Sequence, residues 1–301
     1  MERARLGHLT LRSDRLAFWS YARHRRWLGQ AAVYCALAVF LLIALFPVYW
    51  MVITAFKTDA DLVNPTVNPF WFHHAPVLRH VIFLFQQTKF VTWLTNTFVI
   101  GAFTVVITLA LGIPAGYALA RLRFRGSDSA GILMFLTYLV PPALLFLPLL
   151  RVVADLNLAN TKWSLVLVYP TFTLPFCIWL LIGFFKAVPL EVEESAMVDG
   201  CNRLTAVARI VLPLSVAGIL TVAIFAFTLA MQEFIYALTF VSSSAEKTVT
   251  LGVTTDLVRG DVFKWGSLMA GALFAGIPVA ILYNFFLDYF VQGISQGAVK
   301  Q

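Results

Sequence analysis

Residues 163–185 read WSLVLVYPTFTLPFCIWLLIGFF, residues 186–209 read KAVPLEVEESAMVDGCNRLTAVAR, and residues 210–240 read IVLPLSVAGILTVAIFAFTLAMQEFIYALTF. The first run has no charged residue and the last has one, Glu233. A bilayer core about 30 Å thick needs about 20 apolar residues per helix, so each run is long enough to cross it. The polar insert between them is not lipid-compatible and must lie outside the hydrocarbon.

Working outward, further runs of this kind fall near 31–56, 91–120, 130–150 and 265–287, all uncharged. The 301-residue chain is 60% hydrophobic and 12% charged, about half the charge of a soluble domain. Backbone polar groups in lipid must be satisfied within the segment, and runs this long fit helices rather than barrel strands of about 10 alternating residues. The expected fold is all-α membrane with six transmembrane helices. The first run begins after about 30 residues and exceeds a signal-peptide core, so it reads as a retained helix; a mitochondrial presequence is the competing reading of the Arg-rich segment before it.

Basic residues set orientation. One side collects Arg3, Arg5, Arg12, Arg15, Arg23, Arg25, Arg26, Arg121, Arg123, Arg125, Lys186, Arg203, Arg209 and Lys300, against eight Lys and Arg on the other. That side is expected to be cytoplasmic, with both termini and the 187–213 loop. The net charge of +7 is spread over short flanking loops, so no nucleic-acid partner is expected. The chain divides into a basic N-terminal segment 1–30, a six-helix transmembrane region 31–292 and a C-terminal tail 293–301. Cys35, Cys177 and Cys201 differ in environment and read as free thiols. His73, His74 and His80 lack the cysteines or clustered carboxylates of a metal site, and none is expected.

The segment 57–90, with Pro65, Pro69 and Pro76, reads as irregular structure carrying a short helix near 79–88, and Trp71 and Phe72 suit a membrane interface. Gly112 and Gly116, Gly266 and Ala270, Ser267 and Gly271, and Gly271 and Ala275 are spaced four apart, which lets helices approach closely in lipid.

In the polar loop, Pro189 suits a first helical turn, and Glu191, Glu193 and Glu194 favour the positive end of a helix dipole. Val192 and Ala196 share a face, and Ala196 is small enough to admit a partner surface. Gly200 can end the helix with positive φ. An amphipathic loop lying on lipid is the alternative, but three carboxylates fit poorly against an anionic leaflet. Inside the fifth run Gln232 and Glu233 are polar groups at membrane depth, read either as lining a translocation path or as a structural bond.

Glu194-Ser195-Ala196, three residues, Gly200, nine residues and Ile210-Val211-Leu212-Pro213 resemble the EAA loop of ABC-importer permeases, with Ser195 where the family has Ala. Phe56-Lys57-Thr58-Asp59, Tyr117-Ala118-Leu119-Ala120-Arg121 and Gly297-Ala298-Val299-Lys300 are similar to segments of its carbohydrate-uptake, maltose-type branch, in the shorter six-span subunit. The resemblance implies a cytoplasmic coupling helix between spans 4 and 5, formed by Glu194, Ser195, Ala196, Asp199 and Gly200, with Ile210, Leu212 and Pro213 leading back into the bundle. It implies a second, non-identical permease, a cytoplasmic ATPase dimer that binds ATP and Mg, and an extracytoplasmic solute-binding protein, in a bacterial inner membrane. The chain has no Gly-x4-Gly-Lys-Ser/Thr pattern and is expected to carry no cofactor and no ATPase activity of its own. The family often places Trp-Asn before the Glu of the fifth span, where this chain has Met231-Gln232. The alternative is a self-contained secondary transporter using Glu233 for ion or proton coupling.

Overall fold

A computed structural model describes residues 3–122, 124–259 and 262–298. Arg123, Lys300 and the end of the tail fall outside them, as do the side chains of the N-terminal arginines and of Asp288. Two units are distinguished, Met1–Ile53 and Thr54–Gln301.

The first unit consists of most of helix α1 (Arg3–Phe56), which runs without interruption from the basic segment through the first apolar run, with Pro47 inside it. Its apolar stretch exposes Val33, Leu37, Phe40, Leu41 and Ile43, a surface suited to lipid rather than water.

In the second unit the chain continues as α2 (Asp59–Val63), α3 (Arg79–Gln87), α4 (Phe90–Arg121), α5 (Ser127–Tyr138), α6 (Pro142–Asp155), α7 (Lys162–Val168) and α8 (Pro170–Ala187). Then come α9 (Leu190–Val198), α10 (Arg203–Ala206), a π turn (Val207–Val211), α11 (Leu212–Leu214), α12 (Val216–Gln232), α13 (Ile235–Phe240) and α14 (Val249–Asp256). A two-residue antiparallel ribbon, β1 (Val258–Arg259) with β2 (Val262–Phe263), precedes α15 (Trp265–Ala298). Among the described residues four helical stretches are long and apolar enough to cross a membrane, or six if each of two bent pairs counts as one span. The helical membrane fold is as expected, but two of its spans are broken.

The third apolar run is one of these. It bends by 91° between α5 and α6. Pro141 and Pro142 lack amide protons, and proline disfavours helix in the residue before it, so α5 stops and α6 restarts with proline in its first turn. The fifth run is the other. It bends by 76° between the α10–α11 stretch and α12, and it ends at Gln232 rather than 240.

Helices α4 and α8 pack where the glycine spacing placed a close approach. A Cβ on Gly116 would meet Leu181 Cβ at 2.8 Å, and one on Gly112 would meet the Leu181 side chain at 3.3 Å. The hydroxyls of Thr108 and Thr173 bond across the same seam at 2.8 Å. On α15, Gly266 abuts the ring of His80, and Gly271 abuts Val253 of α14.

The segment 57–89 is more ordered than its prolines suggested. Buried Lys57 donates to the carbonyls of Asn68 and Pro69 at 2.9 and 2.8 Å. Thr58 caps α2, Asp61 accepts from His74 at 2.7 Å, and His80 bonds the Lys57 carbonyl at 2.9 Å. The Phe56-Lys57-Thr58-Asp59 motif is thus the organiser of this loop.

The segment 241–257 is held just as firmly. Trp93 Nε1 donates to the Ser244 carbonyl at 2.6 Å, Asn96 donates to Ala245 at 2.8 Å, and Lys247 pairs with Asp256 at 2.6 Å. Burial pushes the Asp256 carboxyl up, but the bonds from Lys247, Ser244 and Thr255 outweigh it and hold it below the usual carboxylate value.

Two outcomes follow. Gly116→Leu should lower stability by about 1–3 kcal/mol through forced separation of α4 and α8, whereas Gly183→Leu, where nothing lies within 4 Å, should be neutral; unfolding midpoints of the purified protein in detergent compare them. A carboxylate with a depressed folded value contributes stability that is present above its unfolded value and lost as pH falls through the folded one. Hydrogen-exchange protection of 241–257 should therefore hold from pH 8 to 5 and fall below about pH 4, and Asp256→Asn should remove that dependence.

Candidate functional site: the polar loop between two spans

Val188 is extended before Pro189, as the residue ahead of a proline prefers, and Pro189 opens α9 as its N-cap. Glu191 and Glu193 lie in the first turn. Ser195 Oγ donates back to the Glu191 carbonyl at 2.7 Å. At the other end Gly200 takes φ +94°, its amide bonds Met197 O at 3.2 Å, and the Cys201 amide bonds Ala196 O at 3.0 Å. This paired closure is the glycine-terminated helix end expected from the sequence.

Asn202 then caps α10, accepting from the Thr205 amide at 2.8 Å. The π turn follows directly and leads into Pro213. A proline ring cannot sit under the carbonyl four residues earlier in a regular helix, and a widened turn relieves that clash.

The inward face of α9 was not evident from the sequence. Glu193 and Ala196, three residues apart, are both buried. Ala196, read above as the residue that admits a partner, sits against its own chain at 6% exposure. The Glu193 carboxylate accepts a hydrogen bond from the Tyr117 hydroxyl and lies 3.6 Å from Arg121 Nε. Arg121 also donates through Nη2 to the Val188 carbonyl. The side chains of Arg121 and Glu193 are 8% and 2% exposed. One of the three carboxylates credited to a partner is therefore used internally, and two motifs quoted separately, Tyr117–Arg121 and the 194–213 loop, meet in space.

The outward face comprises Glu191, Val192, Glu194, Ser195, Val198, Asp199 and Gly200. Val198 and, beyond the turn, Leu204 are 87% and 82% exposed, apolar side chains with no cover from this chain. Ile210 and Leu212 are half-buried, Leu212 against the cluster of Tyr117, Leu181, Phe185, Val211 and Val222, and Pro213 is exposed.

Gln232 and Glu233 part company. Glu233 is not inside a helix: it stands in extended backbone where α12 ends. Its two carboxylate oxygens accept from the amides of Tyr236 and Ala237 at 2.8 and 3.1 Å, capping α13. Gln232 is exposed and borders a cavity of about 370 Å³ with Thr228, Thr250, Thr254 and Gly271.

The family described as "Binding-protein-dependent transport system inner membrane component" matches residues 112–296, which include both the Tyr117–Arg121 segment and the whole polar loop. The chain belongs to this family. It is 33% identical to the inner membrane ABC transporter permease protein YcjP of Escherichia coli (strain K12), across 93% of this chain and 99% of that one. It is 36% identical to the diacetylchitobiose uptake system permease protein DasC of Streptomyces coelicolor, across 87% and 95%. In fold it is similar, at a TM-score of 0.72 and 20% identity, to a chain in the crystal structure of a bacterial ABC transporter involved in the import of the acidic polysaccharide alginate; the match covers 87% of this chain and 96% of that one. The chain is thus a transport subunit, the permease of an ABC importer, and none of these likenesses supports a self-contained secondary transporter.

The buried ion pair gives a direct outcome. Arg121→Met leaves the Glu193 charge uncompensated and should cost about 3–5 kcal/mol, while Arg121→Met with Glu193→Met should recover most of it; denaturant unfolding in detergent measures both.

Proposed function

We propose that this permease imports a sugar and is driven by a separate ATPase that pushes on α9. One observation carries the coupling reading: a short helix, opened by Pro189 and closed at Gly200, joins two spans and presents Val192, Glu194, Val198 and Asp199 outward. A rigid element on short tethers can move its flanking helices as one body. Glu194, Ser195, Asp199 and Gly200 meet the ATPase, Ala196 seats the helix on its own bundle, and Ile210, Leu212 and Pro213 return the push to α12. The loop and both termini are cytoplasmic, in agreement with the excess of basic residues on that side.

The sugar class is supported by relatives whose names give diacetylchitobiose and alginate as cargo. The complete importer would comprise a second, non-identical permease, a cytoplasmic ATPase dimer holding ATP and Mg, and an extracytoplasmic solute-binding protein, in a bacterial inner membrane. Among the two residues read for the path, Gln232 is the one with a free face toward a cavity, and its amide suits sugar hydroxyls. Glu233 serves the break between α12 and α13.

Glu194→Lys and Gly200→Pro should insert in the membrane at normal levels yet lower ATP-dependent uptake by about tenfold or more, the effect of losing 1.4 kcal/mol of docking. Membrane fractionation and uptake assays in cells check the two halves. Normal uptake by both variants would overturn the coupling assignment. Mass spectrometry of the solute carried by the companion binding protein names the cargo.

A further inference from the structure

We propose that Glu193, Tyr117 and Arg121 clamp α4 to the coupling helix, so that α4 moves with α8 and α9. The inference rests on the coupling-helix reading and adds to it a helix with no chain connection to the loop.

The covalent path from α9 reaches only its neighbours, α8 through Val188 and Pro189 and α12 through α10 and α11. Yet the end of α4 is hydrogen-bonded to α9 through the Tyr117 hydroxyl, ion-paired with it at 3.6 Å through Arg121, and hydrogen-bonded to the α8–α9 link through the Val188 carbonyl. Burying this ion pair costs desolvation, and apolar residues would pack the site as well or better. A set of directed polar bonds supplies a fixed register between the two helices, which greasy contact does not. The surrounding packing leaves no room for slip. Gly116 touches Leu181 so closely that a Cβ would clash, and the rings of Tyr117 and Phe185 meet edge-on with centroids 6.2 Å apart.

The other side of the loop is built differently. There the chain turns through 76° at Ser215, next to a π turn. An open groove of about 360 Å³ lies at this bend, between Phe184, Val188 and Pro189 on one side and Leu214, Ser215 and Gly218 on the other. Across that bend α12 packs closely on α8, where a Cβ on Gly218 would clash with the Phe184 side chain, so packing sets the α12 side whereas directed polar bonds set the α4 side. Glu193 is a positioning residue in this arrangement, since it orients α4 and touches no substrate.

The test uses the complete importer with its partner subunits in lipid nanodiscs, with Cys35, Cys177 and Cys201 replaced. One spin-label pair sits at Glu191→Cys and Leu111→Cys, reporting α9 against α4. A second sits at Glu191→Cys and Leu229→Cys, reporting α9 against the far end of α12. Distances are read without nucleotide and with a non-hydrolysable ATP analogue and Mg. In the otherwise unaltered protein the first distance should stay fixed, and the clamp variants should leave the second as it is in the unaltered protein. Glu193→Gln and, independently, Tyr117→Phe should keep the ATPase co-purifying but make the first distance shift and broaden when the analogue binds. A purely structural role would not make that distance depend on nucleotide. The clamp is overturned if the first distance moves in the unaltered protein, or stays fixed in both variants. If the ATPase fails to co-purify with the unaltered chain, or still does so with Glu194→Lys, the coupling-helix reading fails instead.

Discussion

A carboxylate that has left water needs a partner, and in this chain that requirement falls on Glu193. Its side chain is almost wholly enclosed, and the groups that face it, the Tyr117 hydroxyl as hydrogen-bond donor and the Arg121 guanidinium as counter-charge, come from a helix more than seventy residues earlier. Once they are in place, the end of α4, the end of α8 and the whole of α9 are fixed to one another. The orientation of the loop then follows. With Glu193 and Ala196 turned inward, Glu194, Val198 and Asp199 have to face out, and which residues α9 exposes is decided by an internal bond.

A second constraint is that backbone amides in lipid must bond within their own segment. At three breaks in this chain something answers for the freed groups. At Pro141 and Pro142 the missing donors fall where one helix ends and the next begins, positions that have no intrahelical partner in any case. After Gln232 the two orphan amides at the start of α13 are taken by the Glu233 carboxylate. An acid that is expensive at membrane depth is thereby accounted for by the break it caps. At Pro213 the widening to a π turn plays the same part.

Much of the fold could be read in advance. Six apolar runs, the close approach at Gly112 and Gly116 and the helix end at Gly200 each depend on local chemistry: length against bilayer thickness, the absence of a side chain, tolerance of positive φ. The bends were missed although prolines marked them, because an apolar count is blind to backbone direction. The site was half legible. The outward residues Glu194, Asp199 and Gly200 were found through the loop's spacing. Glu193 was read only as a charge near a helix dipole, and nothing in its neighbours signalled a partner at positions 117 and 121.

The sequence by itself determined that this chain spans a membrane as helices, that a short, glycine-closed helix interrupts it, and which family pattern that helix carries. These are properties of contiguous residues, so neighbours in the chain suffice to set them. The tertiary structure alone decided which face of the helix is buried, that α4 is fastened to it, and that Glu233 caps a helix start. Those depend on which distant groups arrive within bonding distance, and a buried charge takes whichever partner the packing brings to it.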